Sequence, residues 1–295
     1  MTPETPSPPE LRPLGIGETL DAGFRLLRQN LGTYLKLSVG FLIIPTVILA
    51  AYMLSQLVLI RDGVQYVDDP NSYAVMVALI GLAGRLAQLL CFGVLVHLST
   101  RLYMNHKETA GSILSASGRR LLPFVGLTLL LGLFGLAALF VASLASFPFG
   151  PLRGFVIMII LILWLVYYSL APPVFWYEGI PASKSMRRSR DLVSGRFWRV
   201  FGSLAVGLVI IGVFSVGLGA LVVSTLFNVE SPAPYVVLAL GLEFIGTVIS
   251  FAILAPIVTV VYFDGRVRRE GFDLQLQLDD TDSDKPPEPP PTVPW

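Results

Sequence analysis

The sequence predicts an all-α integral membrane protein: six transmembrane helices in three hairpins, each hairpin preceded by an amphipathic helix on the cytoplasmic face. Two observations carry this. The chain is 54% hydrophobic and only 14% charged, with a mean hydropathy of +0.72, whereas soluble domains carry about 25% charged residues. Its 21 Lys and Arg residues are also sorted by side. Arg12, Arg25, Arg28 and Lys36 sit before or at the start of the first apolar run. Arg101, Lys107, Arg119 and Arg120 lie between the second and third, and Lys184, Arg187, Arg188, Arg190, Arg196 and Arg199 between the fourth and fifth. Arg266, Arg268, Arg269 and Lys285 follow the last. The opposite side holds only Arg61 and Arg153, and Arg85 falls inside a run. Cytoplasmic loops carry the excess of Lys and Arg, so both termini are expected in the cytoplasm.

Taken in order, residues 1–13 are rich in Pro and read as a disordered tail; residues 14–278 read as one membrane domain, and 279–295 as an acidic, Pro-rich disordered tail. No cleavable signal is visible in the N-terminal segment, so the first span is expected to act as an uncleaved anchor. Six apolar runs, at about 35–60, 73–102, 122–145, 154–177, 198–227 and 235–262, each reach the roughly 20 residues a bilayer requires. Backbone groups in lipid must be satisfied within the segment, which makes the runs helices. Short loops at about 61–72, 146–153 and 228–234 join them on the outside.

The first amphipathic stretch covers 18–31, with Leu20, Phe24, Leu27 and Leu31 on one face and Glu18, Asp21, Arg25 and Arg28 elsewhere. The second carries Ile113, Leu114, Ser117 and Leu121. The third begins at Pro181, a good first helical residue, and sets Met186 and Val193 against Lys184, Arg187, Arg188 and Arg190, with Gly195 as its stop. Leu26-Leu27, Asn30-Leu31 and Tyr34 align with Leu192-Val193, Arg196-Phe197 and Val200, and more faintly with Ser117, Leu121 and Phe124. The pattern suggests a threefold repeat of an interfacial helix plus a hairpin.

Three segments resemble a bacterial family named after the membrane domain of glycerophosphoryl diester phosphodiesterases. They are the run from Leu14-Gly15-Ile16-Gly17-Glu18 to Asn30, the run from Ser185-Met186-Arg187-Arg188 to Trp198-Arg199, and Tyr262-Phe263-Asp264-Gly265-Arg266 through Asp273. The resemblance spans about residues 12–278 and implies a bacterial plasma-membrane protein. In the family's namesakes a soluble catalytic domain follows the membrane part. The stretch after Phe263 is too short for a barrel hydrolase of about 200 residues or more, so the resemblance implies no activity.

No Ser/His/acid set, metal-binding helix, phosphate loop or paired carboxylate site occurs at useful spacing, so the chain is not expected to be an enzyme. Gly15-Ile16-Gly17 reads as a helix start. The single cysteine, Cys91, and the two histidines, His97 and His106, offer no multi-cysteine metal site, and no cofactor is expected. Arg85 and Glu243 are the charges deepest in the apolar runs. A charge at the bilayer centre costs roughly 2.5–3.5 kcal/mol, so each needs a partner or water. They are candidates for an intramembrane ion pair or a functional polar site; the alternative is that each reaches headgroups or a backbone carbonyl. Lys184, Arg187, Arg188 and Arg190 are candidate contacts for anionic lipid headgroups, or simply enforce topology. Every basic cluster abuts a span, so the expected partners are the bilayer and other membrane proteins, not nucleic acid. The sequence thus expects a non-catalytic scaffold or accessory subunit of a membrane complex. A transporter or lipid-handling protein with a polar site near Arg85 and Glu243 is the alternative.

Overall fold

A computed structural model describes residues 12–61, 70–226 and 232–271, and among these there is helix and no strand. The helices are α1 (Ile16–Gln29), α2 (Leu31–Arg61), α3 (Pro70–Tyr103), α4 (Ala110–Ala145), α5 (Arg153–Tyr168), α6 (Ala171–Glu178), α7 (Ala182–Val193), α8 (Phe197–Leu226) and α9 (Pro232–Glu270), with a 3-10 turn at Phe147–Leu152 between α4 and α5. Six segments are long and apolar enough to cross a membrane: Leu31–Ser55, Val75–Tyr103, Ala110–Ala145, Arg153–Glu178, Phe197–Leu221 and Pro234–Glu270. Residues 1–11 of the first tail, all of the second, and most of the first and third outer loops lie outside the described residues.

Local chemistry sets the ends of these elements. The Gly15 amide donates to Glu18 Oε2 at 2.7 Å, and Arg12 pairs with Glu18 Oε1 at 2.7 Å. The amide and the guanidinium together hold the Glu18 carboxyl below its ordinary range. Arg12, which belongs to the stretch read as a tail, thus takes part in capping α1. Thr109 and Ser112 cap α4 reciprocally, with Ser112 N donating to Thr109 Oγ1 at 3.2 Å and Thr109 N to Ser112 Oγ at 2.9 Å. Helix α7 starts one residue later than expected, because Pro181 is its extended N-cap. It gives way at Gly195, whose φ of 81° only glycine adopts without strain.

Two runs differ from their expected form. The second amphipathic stretch and the third span are one helix, α4, running on through Pro123. The fourth run is broken at residues 169–170 into α5 and α6. Pro172 and Pro173 have no N–H to continue the hydrogen-bond ladder of α5, so the chain restarts there with proline in its first turn.

Packing is dense at one end of the bundle and open at the other. Tyr34 is fully buried, with its hydroxyl 2.6 Å from Ser99 Oγ. Helix α9 runs through the centre of this end, burying Ile257, Val258, Tyr262 and Phe263. Gly23 of α1 lets the Ile257 backbone approach, since an added Cβ would sit 3.3 Å from its Cα. The ends of distant segments are tied together here: the Leu14 amide donates to Asp264 at 2.8 Å, Arg120 to the Gly179 carbonyl at 3.1 Å, and Arg196 to the Gly265 carbonyl at 2.8 Å. In the opposite halves Ile44, Val47, Leu133, Phe140, Val213 and Val216 are exposed, which is the face a bilayer covers.

Candidate functional site

Helices α2, α3 and α9 line a partly open cavity of about 90 Å³, and both deep charges stand on its wall with their side chains exposed. Arg85 and Gln88 come from α3, Glu243 and Thr247 from α9, and Pro45 and Thr46 from α2. At about 1.5 Å per residue, Arg85 lies ~15 Å into its span from Val75 and Glu243 ~14 Å into its span from Pro234. The two charges therefore stand at similar distances from the starts of their spans. Pro45 has no N–H to donate to the preceding turn and so interrupts the α2 ladder beside the cavity. Thr46 and Thr247 turn their hydroxyls back to the carbonyls of Leu42 (2.8 Å) and Glu243 (2.9 Å).

The two charges share this cavity without forming an ion pair. Arg85 Nη1 donates instead to Gln88 Oε1 at 2.8 Å, one turn along its own helix. The volume suffices for several waters, each needing two to four polar partners, and is far below the 300–1,000 Å³ of a drug-sized pocket. What the arrangement offers is one cation, one anion and an amide facing a small space. Gly84 and Gly81 complete the wall, and a Cβ added at either would meet nothing within 4 Å.

The four basic residues of α7 divide into two sets. Lys184, Arg187 and Arg190 are exposed. Arg188 is turned inward, because it lies three and four residues from Ser185 and Leu192 on the buried face of the helix. It bonds Glu178 Oε1 of α6 at 3.2 Å and pairs with Glu270 of α9. Glu178 Oε1 also accepts from the Tyr262 hydroxyl at 3.0 Å, and Glu270 Oε2 from Arg266 Nε at 3.1 Å. Burial opposes the Arg188 charge, but Glu178 and Glu270 outweigh it and hold the guanidinium firmly protonated. Unlike its exposed neighbours, Arg188 already serves two carboxylates, through Nε and Nη2. Nothing local in the sequence pairs these residues; the packing of α6, α7 and α9 does.

His97 is likewise committed to packing. Its ring stacks on Trp176 at 4.4 Å and 5°, and Nδ1 lies 2.8 Å from Ser117 Oγ. Cys91 is buried and free. No family model, curated protein or solved structure matches this chain.

Proposed function

We propose that the chain is a non-catalytic, multi-pass protein of the bacterial plasma membrane that admits a small polar or ionic solute to the cavity among Arg85, Gln88 and Glu243, in the manner of a transporter. It crosses the bilayer as three hairpins, with both termini inside and with α1, the start of α4 and α7 lying along the cytoplasmic surface. The charge asymmetry supports this orientation. Burial of Tyr34, Phe124 and Val200, which occupy equivalent positions of the suggested repeat, supports the three-unit arrangement.

The observation that carries the functional reading is the meeting of polar groups from three helices at one depth. Two charges in an apolar layer cost several kcal/mol together; a helix interrupted by proline beside them is the architecture that solute sites in membranes use. This reverses the order of the two readings drawn from sequence. The scaffold reading keeps one observation in its favour: the exposed apolar faces of α2, α4 and α8 could receive the helices of a partner.

A leucine at Gly84 would grow into open space and fill the cavity without removing a charge. Gly84→Leu and Glu243→Gln are each expected to fail to complement a deletion strain while melting within a few degrees of the parent in detergent. Full complementation by both variants would remove the cavity from the protein's function. Orientation is tested separately in a Cys91→Ala background. A cysteine at Arg153 should react with an impermeant thiol reagent on intact cells, and one at Lys184 only after lysis. The reverse pattern would invert the topology.

A further inference from the structure

A second cavity, of about 680 Å³, opens at the packed end of the bundle, where α8 begins. Its wall includes Arg196, Trp198 and Arg199 from the start of α8, Arg268 from the end of α9, and Pro13. Arg269 reaches the same neighbourhood, with Nη1 3.5 Å from the Ser194 carbonyl. Asp264 answers these arginines and already holds Arg268 at 2.9 Å and the Leu14 amide at 2.8 Å, and Arg268 also acts on the Glu18 carboxylate. Burial, together with Arg268, Arg269 and Arg199, depresses the Arg196 pKa below its ordinary value, with Asp264 opposing. The Arg199 amide donates to the Arg196 carbonyl at 3.0 Å, while its half-buried guanidinium makes no hydrogen bond or ion pair with the described residues. The α8 N-terminus adds the positive end of its dipole.

Two features indicate what anion belongs there. Trp198, at the lip, is 78% exposed, an unusual state for an indole unless it lies among headgroups. One turn further along α8, Phe201 stands against Phe197 at 6.0 Å and Trp198 at 6.0 Å. From Phe201 an apolar groove of about 680 Å³ runs between α5 and α8 along Val166, Leu204, Leu208 and Val213. A basic cavity followed by an apolar groove matches a phosphate joined to an acyl chain.

We propose that the cavity formed by Arg196, Arg199 and Arg268 binds the phosphate of an anionic phospholipid, with its chain lying in the α5–α8 groove. The site is separate from the exposed cations of α7 and from the intramembrane cavity. It rests on the reading of this end as a membrane surface, but not on the solute role of Arg85 and Glu243.

The test uses delipidated full-length protein in detergent, with bound lipid counted by native mass spectrometry. Short-chain phosphatidylglycerol is expected to bind in preference to short-chain phosphatidylcholine. Arg199→Gln should weaken phosphatidylglycerol about fivefold, the factor that corresponds to ~1 kcal/mol for one arginine at a membrane surface. Arg199→Lys should keep most of the affinity, which separates a lost charge from a misfolded site. Trp198→Ala should weaken phosphatidylglycerol too. The triple variant Lys184→Gln, Arg187→Gln, Arg190→Gln should leave binding unchanged. Equal binding of the two lipids, indifference to Arg199→Gln, or loss only in the α7 triple variant would overturn the proposal. Displacement of phosphatidylglycerol by millimolar inorganic phosphate, with Trp198→Ala silent, would overturn the lipid assignment in favour of a free-phosphate site.

Discussion

Gly93→Ala is expected to be the most damaging single-methyl change in the described part of the chain. A Cβ at Gly93 would collide with Phe124 Cε1 and lie 2.5 Å from its Cζ, closer than any real contact. The Phe124 ring is 1% exposed and is held by Phe175 at 5.6 Å and Trp176 at 5.4 Å, with Trp176 in turn stacked on His97. No part of this cluster can yield without moving a helix. Overpacking of a core costs typically 1–3 kcal/mol and occasionally more; with four aromatic rings in series, about 3 kcal/mol or more is expected. Thermal unfolding in detergent reads it directly. Phe124→Leu, which shortens the obstructing ring, should restore a large part of the loss in the double variant. An unchanged melting temperature for Gly93→Ala would show that α3 and α4 are not packed this closely.

The second large effect is expected at Arg188. Replacing it with methionine keeps the bulk on the buried face of α7 but leaves Glu178 and Glu270 facing each other's charge with fewer donors. Breaking a fully buried pair costs about 3–5 kcal/mol. The Arg188 side chain retains 32% exposure, so solvent screening lowers the expected loss to about 2 kcal/mol. Arg187→Met, one residue away on the exposed face, should stay within about 0.5 kcal/mol. Adding Glu178→Gln and Glu270→Gln to Arg188→Met should recover stability, because it removes the stranded charges. Equal effects at Arg187 and Arg188 would mean that the two guanidinia do not differ in environment.

The spans were legible because a bilayer imposes a length and a composition that no other environment demands. The run placed at about 73–102 corresponds to the segment Val75–Tyr103. The break in the fourth run had a local cause, Pro172-Pro173, but apolar composition alone carried that run straight through it. In the candidate cavity, Arg85 and Glu243 stood out because charge is rare in apolar runs. Thr46 and Thr247 did not, since threonine hydroxyls ordinarily turn back to their own helix, as these two also do. The Arg188 network was illegible for a different reason. Among cations clustered at a membrane surface, positive charge looks the same whether it serves topology, lipid or a buried carboxylate. Only helical phase against Ser185 and Leu192 separates Arg188 from its neighbours, and that phase was available in the sequence.

The docking of α1 carries a consequence for how the protein is made. Its close partner is Ile257, reached across Gly23, and the segment just before it is fastened to Asp264 and Arg268. Those residues belong to α9, which leaves the ribosome after every other described helix. At the usual 5–20 residues per second, α1 is complete roughly 10–50 s before the surface it packs against exists. Throughout that interval the face of α1 around Gly23 lacks its partner, and the membrane interface is the apolar surface at hand. Synthesis of α9 then draws α1 from lipid onto protein, so the first of the described helices to be made is among the last to reach its native place.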